Sequence, residues 1–304
     1  LIVEGLLRKA ALEIMHHFPG ECWNGHCWAD LVVGWIGFIC AEPTWVEWAI
    51  DGRYGFWHHV SHEILSDGRW WEDAIDYTLF SAEPLLMLAA VAAAWKYPDN
   101  LLEPVAPNTS VTYDYWRDKG LADAEISLAR PPSGAEQPRS LRRLLDALLQ
   151  TAFPDGSTYE GTSILDRPLI WAIAAGLSGD PEYLWVWEKC PRNPVGQAIY
   201  LALRSMSGDN GTVTTSEKPA VSAQHFAHFR QVILRAGDCP NRESDGTTLV
   251  LQYGENRIKT KTKRLDLCIW SRGRTLLPMS SMGSNGQYWV PELGPAGLVN
   301  GATI

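Results

Sequence analysis

Apolar side chains recur at helical spacing from the first residues of the chain. Ile2, Leu6, Leu7, Ala10 and Ile14 share one stripe until His16-His17-Phe18-Pro19-Gly20 interrupts it. After a loop at 21–25, the same periodicity predicts helices over 28–40 and 44–50, the second stopped by Asp51-Gly52, and a further helix over 53–65 with Phe56, Val60 and Ile64 on one face. A run of apolar residues from Leu85 to Trp95 predicts a long helix reaching about Tyr97, entered through the turn dipeptide Asp67-Gly68. Residues 98–139 are less regular, with a short helix expected over Tyr113–Lys119 and a solvated loop at Pro131-Pro132-Ser133-Gly134. Helical spacing resumes over Ser140–Ala152, Asp166–Leu177, Pro181–Glu188 and Pro194–Met206.

At Ser207-Gly208-Asp209-Asn210-Gly211 the pattern changes. Beyond it the apolar runs are short and alternate, which predicts strands over Phe226–Ala236, Thr247–Tyr253, Lys259–Ser271 and Arg274–Pro278. The expected fold class is α+β and multidomain: helical hairpins over 1–206, a linker over 207–222, and the start of an antiparallel β domain over 223–304.

With 304 residues, 46% of them hydrophobic, the chain is long enough to bury a sizeable core. A net charge of -9 excludes a broadly basic nucleic-acid surface, so a polyanionic ligand would have to be met by a local basic patch. Six cysteines, at 22, 27, 40, 190, 239 and 268, form no CxxC pair; Cys22 and Cys27 either bridge across a loop or stay reduced. The run Leu85–Ala94 is too short to span a bilayer, and no membrane span is expected. Because the chain does not begin with methionine, its N-terminus carries no information on compartment.

The segment Asp67-Gly68-Arg69-Trp70-Trp71-Glu72-Asp73-Ala74-Ile75-Asp76-Tyr77 holds the densest candidate chemistry. A turn followed by Trp70 and Trp71, the carboxylate of Glu72 and, five residues on, Tyr77 at the start of a helix offers aromatic faces to a sugar ring and a hydroxyl beside it. The same residues can equally serve as core. Ten of the fifteen tryptophans precede residue 120, a bias that suits carbohydrate stacking and core packing alike.

Helical hairpins followed by an antiparallel β domain, with Asp67-Gly68-Arg69-Trp70-Trp71-Glu72 and Tyr77, then Pro154-Asp155-Gly156, Val232-Ile233-Leu234-Arg235, Leu249-Val250-Leu251-Gln252-Tyr253-Gly254 and Gly273-Arg274-Thr275-Leu276-Leu277-Pro278, resemble the heparinase II/III-like and alginate-lyase group of polysaccharide lyases. The resemblance implies an incomplete (α/α) toroid joined to a β-sandwich, β-elimination on a uronate-containing polysaccharide, and a periplasmic or secreted location. It implies roles for individual residues too. Tyr77 would protonate the leaving O4 oxygen, as a phenol that ordinarily titrates near pH 10 can do at neutral pH. Asn24 and His26, expected in the loop before a helix, would offset the substrate carboxylate; Glu72 would orient its neighbours. Trp70 and Trp71 would hold sugar.

One departure from that family changes the expectation for its β domain. Where the family carries a histidine-rich segment, this sequence has Lys259-Thr260-Lys261-Thr262-Lys263-Arg264-Leu265, Met279 follows Pro278 in place of an aspartate, and no histidine follows His228. No zinc is expected there, and no metal or other cofactor is expected in the chain. Lys259, Lys261 and Lys263 would share one face of a strand, either as a basic patch for an acidic glycan, one of them a candidate base, or as solvated edge charges. Tyr253 and Tyr288 are the other candidates for the base, Tyr288 being the better placed. Two further readings stay open. One is a non-catalytic glycan-binding relative; the other is a toroid glycoside hydrolase in which Glu72 or Asp76 opposes Asp155 or Glu160.

Overall fold

The structure is a computed structural model that describes residues 2–17, 24–52, 54–65, 67–72, 74–103, 139–207, 215–227, 230–237, 246–255 and 263–277. A π turn at Val3–Leu7 leads into α1 (Arg8–His17), and α2 (Asn24–Cys40) and α3 (Pro43–Ile50) follow. Next come α4 (Phe56–His58), continued by a π turn at His59–Glu63, and the long α5 (Ile75–Ala94). After α6 (Leu141–Thr151), a 3-10 turn at Ile164–Asp166 precedes α7 (Pro168–Ser178), α8 (Pro181–Lys189) and α9 (Pro194–Met206). The strands β1 (Gln224–Phe226), β2 (Gln231–Ala236), β3 (Thr247–Glu255), β4 (Lys263–Ser271) and β5 (Arg274–Leu277) form one antiparallel sheet in chain order. The chain is thus α+β, rich in helix, with one described sheet. The expected helix over Tyr113–Lys119 and the loop at 131–134 lie outside the described residues.

Capping chemistry sets most helix starts. Pro occupies the first turn of α3, α7, α8 and α9, where its missing N–H costs no helical bond. Ser140, Asp180 and Asn193 cap α6, α8 and α9 by accepting backbone N–H groups. Helix α5 is the centre of the helical body and packs against α2, α6, α7 and α9. Contrary to the expectation from Leu85–Ala94, its 20 residues make it long and apolar enough to cross a membrane. Here it serves as a core helix, with Ile75, Leu79, Leu85, Leu86, Leu88 and Ala92 among its buried side chains.

Two expected elements are divided. The stripe Phe56–Val60–Ile64 is buried as anticipated, but the helix gives way after His58 to a π turn, closed by Ile64 N–H donating to the His59 carbonyl at 3.3 Å. Ile64 then turns extended and makes an antiparallel bridge to Trp70, with Asp67-Gly68 in a turn between them. Gly68 has φ +86°, and a Cβ there would stand 2.7 Å from the Arg143 carbonyl oxygen. Gly68→Ala is therefore expected to lower stability by about 1–3 kcal/mol, read as a shift in the denaturant midpoint at unchanged slope. The second division falls in the expected strand 226–236, which is two strands joined by a turn in which Arg230 has φ +49°.

The sheet lays one face against the helices. Phe226, Gln231, Ile233, Thr248, Val250, Gln252, Cys268 and Trp270 are buried, and the register places them in cross-strand rows on that face. Polar ties, among them the following, hold the junction. Arg235 donates to the Gln150 and Ala152 carbonyls at 2.6 and 3.1 Å, Trp270 Nε1–H donates to Asp155 at 3.3 Å, and Arg69 reaches Gln231. The Trp270 ring also stacks on Phe153.

Candidate functional site

Asn24 and His26 are the first turn of α2 rather than a loop before it, and both are buried. The exposed N–H groups of a helix start attract a carboxylate. Glu72, 48 residues away, supplies one: its Oε2 accepts the Asn24 backbone N–H at 3.3 Å and the Trp70 indole N–H at 2.9 Å. Glu72 thereby fixes the 70–72 loop to the α2 terminus, the geometry of an orienting group.

Behind that contact lies a closed polar network. One helical turn beyond His26, Asp30 presents one oxygen 3.5 Å from His26 Nε2 and its other oxygen 2.9 Å from His59 Nε2. His59 Nδ1 is 3.0 Å from Glu63 Oε2, and the His59 ring lies 6.1 Å from that of Trp70. The path from Glu72 through α2 to Asp30, His59 and Trp70 thus returns to Glu72. Asp30, His59 and Glu63 are fully buried.

Burial sets the protonation of this network. It pushes Asp30 up to about 7, against the pull of the His59 hydrogen bond and charge. Burial lowers His59, but the Cys27 and Glu63 charges and the hydrogen bonds to Asp30 and Cys27 outweigh it and hold His59 well above its ordinary value. His59 thus faces a carboxylate at each ring nitrogen, Asp30 at Nε2 and Glu63 at Nδ1. His26 moves the other way, down to about 4, through burial and then the like charge of His59. Buried and neutral, His26 carries no cationic charge with which to offset a carboxylate, contrary to the sequence expectation. Its ring is enclosed by those of Trp48, Tyr54 and His59.

Tyr77 sits half-buried on the first turn of α5. That turn is locked from a second loop: Glu160 Oε2 accepts the Ile75 N–H at 2.8 Å, and the Thr162 hydroxyl donates to Asp76 at 2.8 Å. Trp71 is half-buried too and packs against the core. Trp70 corrects the sequence reading. It is fully buried, with its ring against His59, and presents no face to a sugar. The carboxylates of the hydrolase reading are likewise engaged with scaffold: Glu72 and Glu160 hold helix starts, Asp76 holds Thr162, and Asp155 accepts from Ser157 and Trp270.

On the sheet, Tyr253 forms a 2.5 Å hydrogen bond with His225. Tyr253 alternates with the buried Gln252 and His225 with the buried Phe226, so the pair occupies the sheet face turned away from the helices. Tyr253 is therefore not across a groove from Tyr77. Tyr288, Lys259 and Lys261 lie outside the described residues, as does the side chain of Lys263.

Asp30, His59, Glu63 and Arg69 were missed by the sequence reading. Three of them carried a signal: His26/Asp30 and His59/Glu63 are both histidine–carboxylate pairs at i,i+4, set among apolar neighbours. Arg69 carried none beyond its place after Asp67-Gly68. It is fully buried, donates to Thr151, Tyr159 and Gln231, and lies 5.5 Å over the Phe226 ring.

No family model matches the sequence, and no curated protein matches it. Among solved structures the chain is similar to heparinase III, with a TM-score of 0.50 and 13% identity, over 85% of this chain and 35% of that one. At that identity the likeness is one of fold, a distant heparinase-like lyase fold, and the chain spans about a third of heparinase III's length.

Proposed function

We propose that the chain is part of a polysaccharide lyase of the heparinase II/III-like kind, in which helical hairpins of an incomplete (α/α) toroid and the first sheet of a β-sandwich act on a uronate-containing polysaccharide outside the cytoplasm. The fold likeness to heparinase III supports the architecture. The observation that carries the reading is the meeting of two remote sequence motifs, with Glu72 of the Asp67–Tyr77 segment bonded to the Asn24 turn of α2.

In the proposed reaction a base removes the proton at C5, the electron pair forms the C4–C5 double bond, and the C4–O4 bond breaks. Tyr77 gives its hydroxyl proton to the departing O4. Asn24 offers its side-chain amide to the substrate carboxylate, its backbone N–H being already held by Glu72. His26, enclosed by aromatic rings, acts chiefly by holding that turn in place. Trp71 takes the stacking role that the buried Trp70 cannot. The base belongs to the β domain, with Tyr288 and the 259–263 lysines as its candidates.

The test is incubation with alginate, heparan sulfate and chondroitin sulfate, followed by the ultraviolet absorbance of the unsaturated uronate end formed by elimination. Appearance of that absorbance with shortened chains supports the proposal. Chains cut to reducing ends without it would establish hydrolysis instead, and glycan binding with no cleavage would establish a non-catalytic relative.

A further inference from the structure

We propose that Cys27, His59 and Glu63 form a zinc-type metal site inside the helical body, with Asp30 holding the His59 ring, independently of whether the chain is a lyase. All three side chains are fully buried, and a thiol sulfur, a ring nitrogen and a carboxylate oxygen lie within 4.8 Å of one another. This donor set of sulfur, nitrogen and oxygen suits zinc, whereas magnesium and calcium take oxygen ligands.

The geometry is close to that of a filled site. His59 Nδ1 and Glu63 Oε2 are 3.0 Å apart. Two nitrogen or oxygen ligands on bonds of about 2.0–2.1 Å at tetrahedral angles stand about 3.3 Å apart, so only a small outward movement admits the ion. His59 Nε2 meanwhile donates to Asp30 at 2.9 Å, the carboxylate–histidine arrangement that fixes the tautomer of a metal-bound imidazole and leaves Nδ1 for the metal. Glu63 Oε1 is buried with no hydrogen-bond partner among the described residues and is available as a fourth ligand. The His59–Glu63 pair sits on a π turn, a distortion that recurs at functional sites.

Binding one divalent ion requires a thiolate at Cys27 and a free Nδ1 on His59, so loading releases to solvent whatever protons these ligand atoms carry. The second set of three donors, His26, Asp30 and His59, shares His59 but has no sulfur. A sulfur signature therefore separates the two.

Since the ligands are enclosed, the metal is loaded during folding. The protein is produced in cobalt-supplemented medium and cleared of loosely held metal with a brief chelator wash. One cobalt per chain is expected, with the intense near-ultraviolet band of thiolate-to-cobalt charge transfer. The band should be absent from Cys27→Ser and retained in Cys190→Ser, whose buried thiol lies at the end of α8. For the unmutated protein loaded with zinc, X-ray absorption should show one sulfur at about 2.3 Å beside nitrogen and oxygen neighbours. A metal-free wild-type protein, a band unchanged in Cys27→Ser, or a shell of nitrogen and oxygen alone would each overturn the proposal.

Discussion

Arg69→Met is expected to lower stability by about 3–5 kcal/mol, the range for removing one member of a buried charged network. The guanidinium has no exposure and joins four parts of the fold: it donates to Thr151 on α6 at 3.4 Å, Tyr159 in the loop after α6 at 3.3 Å and Gln231 on β2 at 3.4 Å, and covers the Phe226 ring on β1. Its charge also opposes the burial that raises the carboxyl of Glu160 above its ordinary value. Methionine fills much of the space but removes one hydrogen bond each from Thr151, Tyr159 and Gln231 and leaves Glu160 without its counter-charge. Arg69→Lys keeps the charge and loses the planar fork, so an intermediate loss is expected. Equilibrium denaturant unfolding measures both; a Met variant within about 1 kcal/mol of the parent would show that the junction does not depend on this residue.

Tyr77→Phe is expected to reduce elimination by about 10²–10⁴-fold, the usual contribution of a positioned general acid. The ring is half-buried and packs against the core, so phenylalanine retains the packing and the hydroxyl is the atom under test. The expected pattern is a fall in kcat at nearly constant KM, with the far-ultraviolet circular dichroism and the unfolding midpoint unaltered. Unchanged product formation by Tyr77→Phe would assign the proton donor elsewhere while leaving the lyase reading intact.

Much of the helical half was legible because its signals are local. The stripe Phe56–Val60–Ile64, the prolines opening α7, α8 and α9, and the caps Ser140, Asp180 and Asn193 act within one or two turns of the chain. The breaks were not. Nothing in residues 53–65 announces a π turn at His59, because that turn is favoured by partners on α2 that sequence spacing does not reveal. The expected strand 226–236 was read as one run because a residue with positive φ at Arg230 is unusual for its type.

The candidate site divides along the same line. Glu72 and Tyr77 were singled out from their spacing, and Asn24 and His26 from a resemblance in the residues around them; the structure brings Glu72 and Asn24 together. Trp70 was misjudged, since composition cannot tell an aromatic that faces sugar from one that faces His59.

By itself the sequence determined the order of helices and strands, the change of pattern after Met206, and the cluster of aromatic and acidic residues from Asp67 to Tyr77. Periodicity and turn chemistry are properties of neighbours along the chain, and they survive without knowledge of the fold. Only the tertiary structure decided that Glu72 closes on Asn24, that Arg69 ties helices to sheet, and that Cys27, Asp30, His59 and Glu63 are buried together. Those outcomes depend on which groups meet once water is excluded. There a carboxylate must find a donor and a histidine takes its charge from its neighbours, and residues 29 to 162 positions apart in the chain supply the partners.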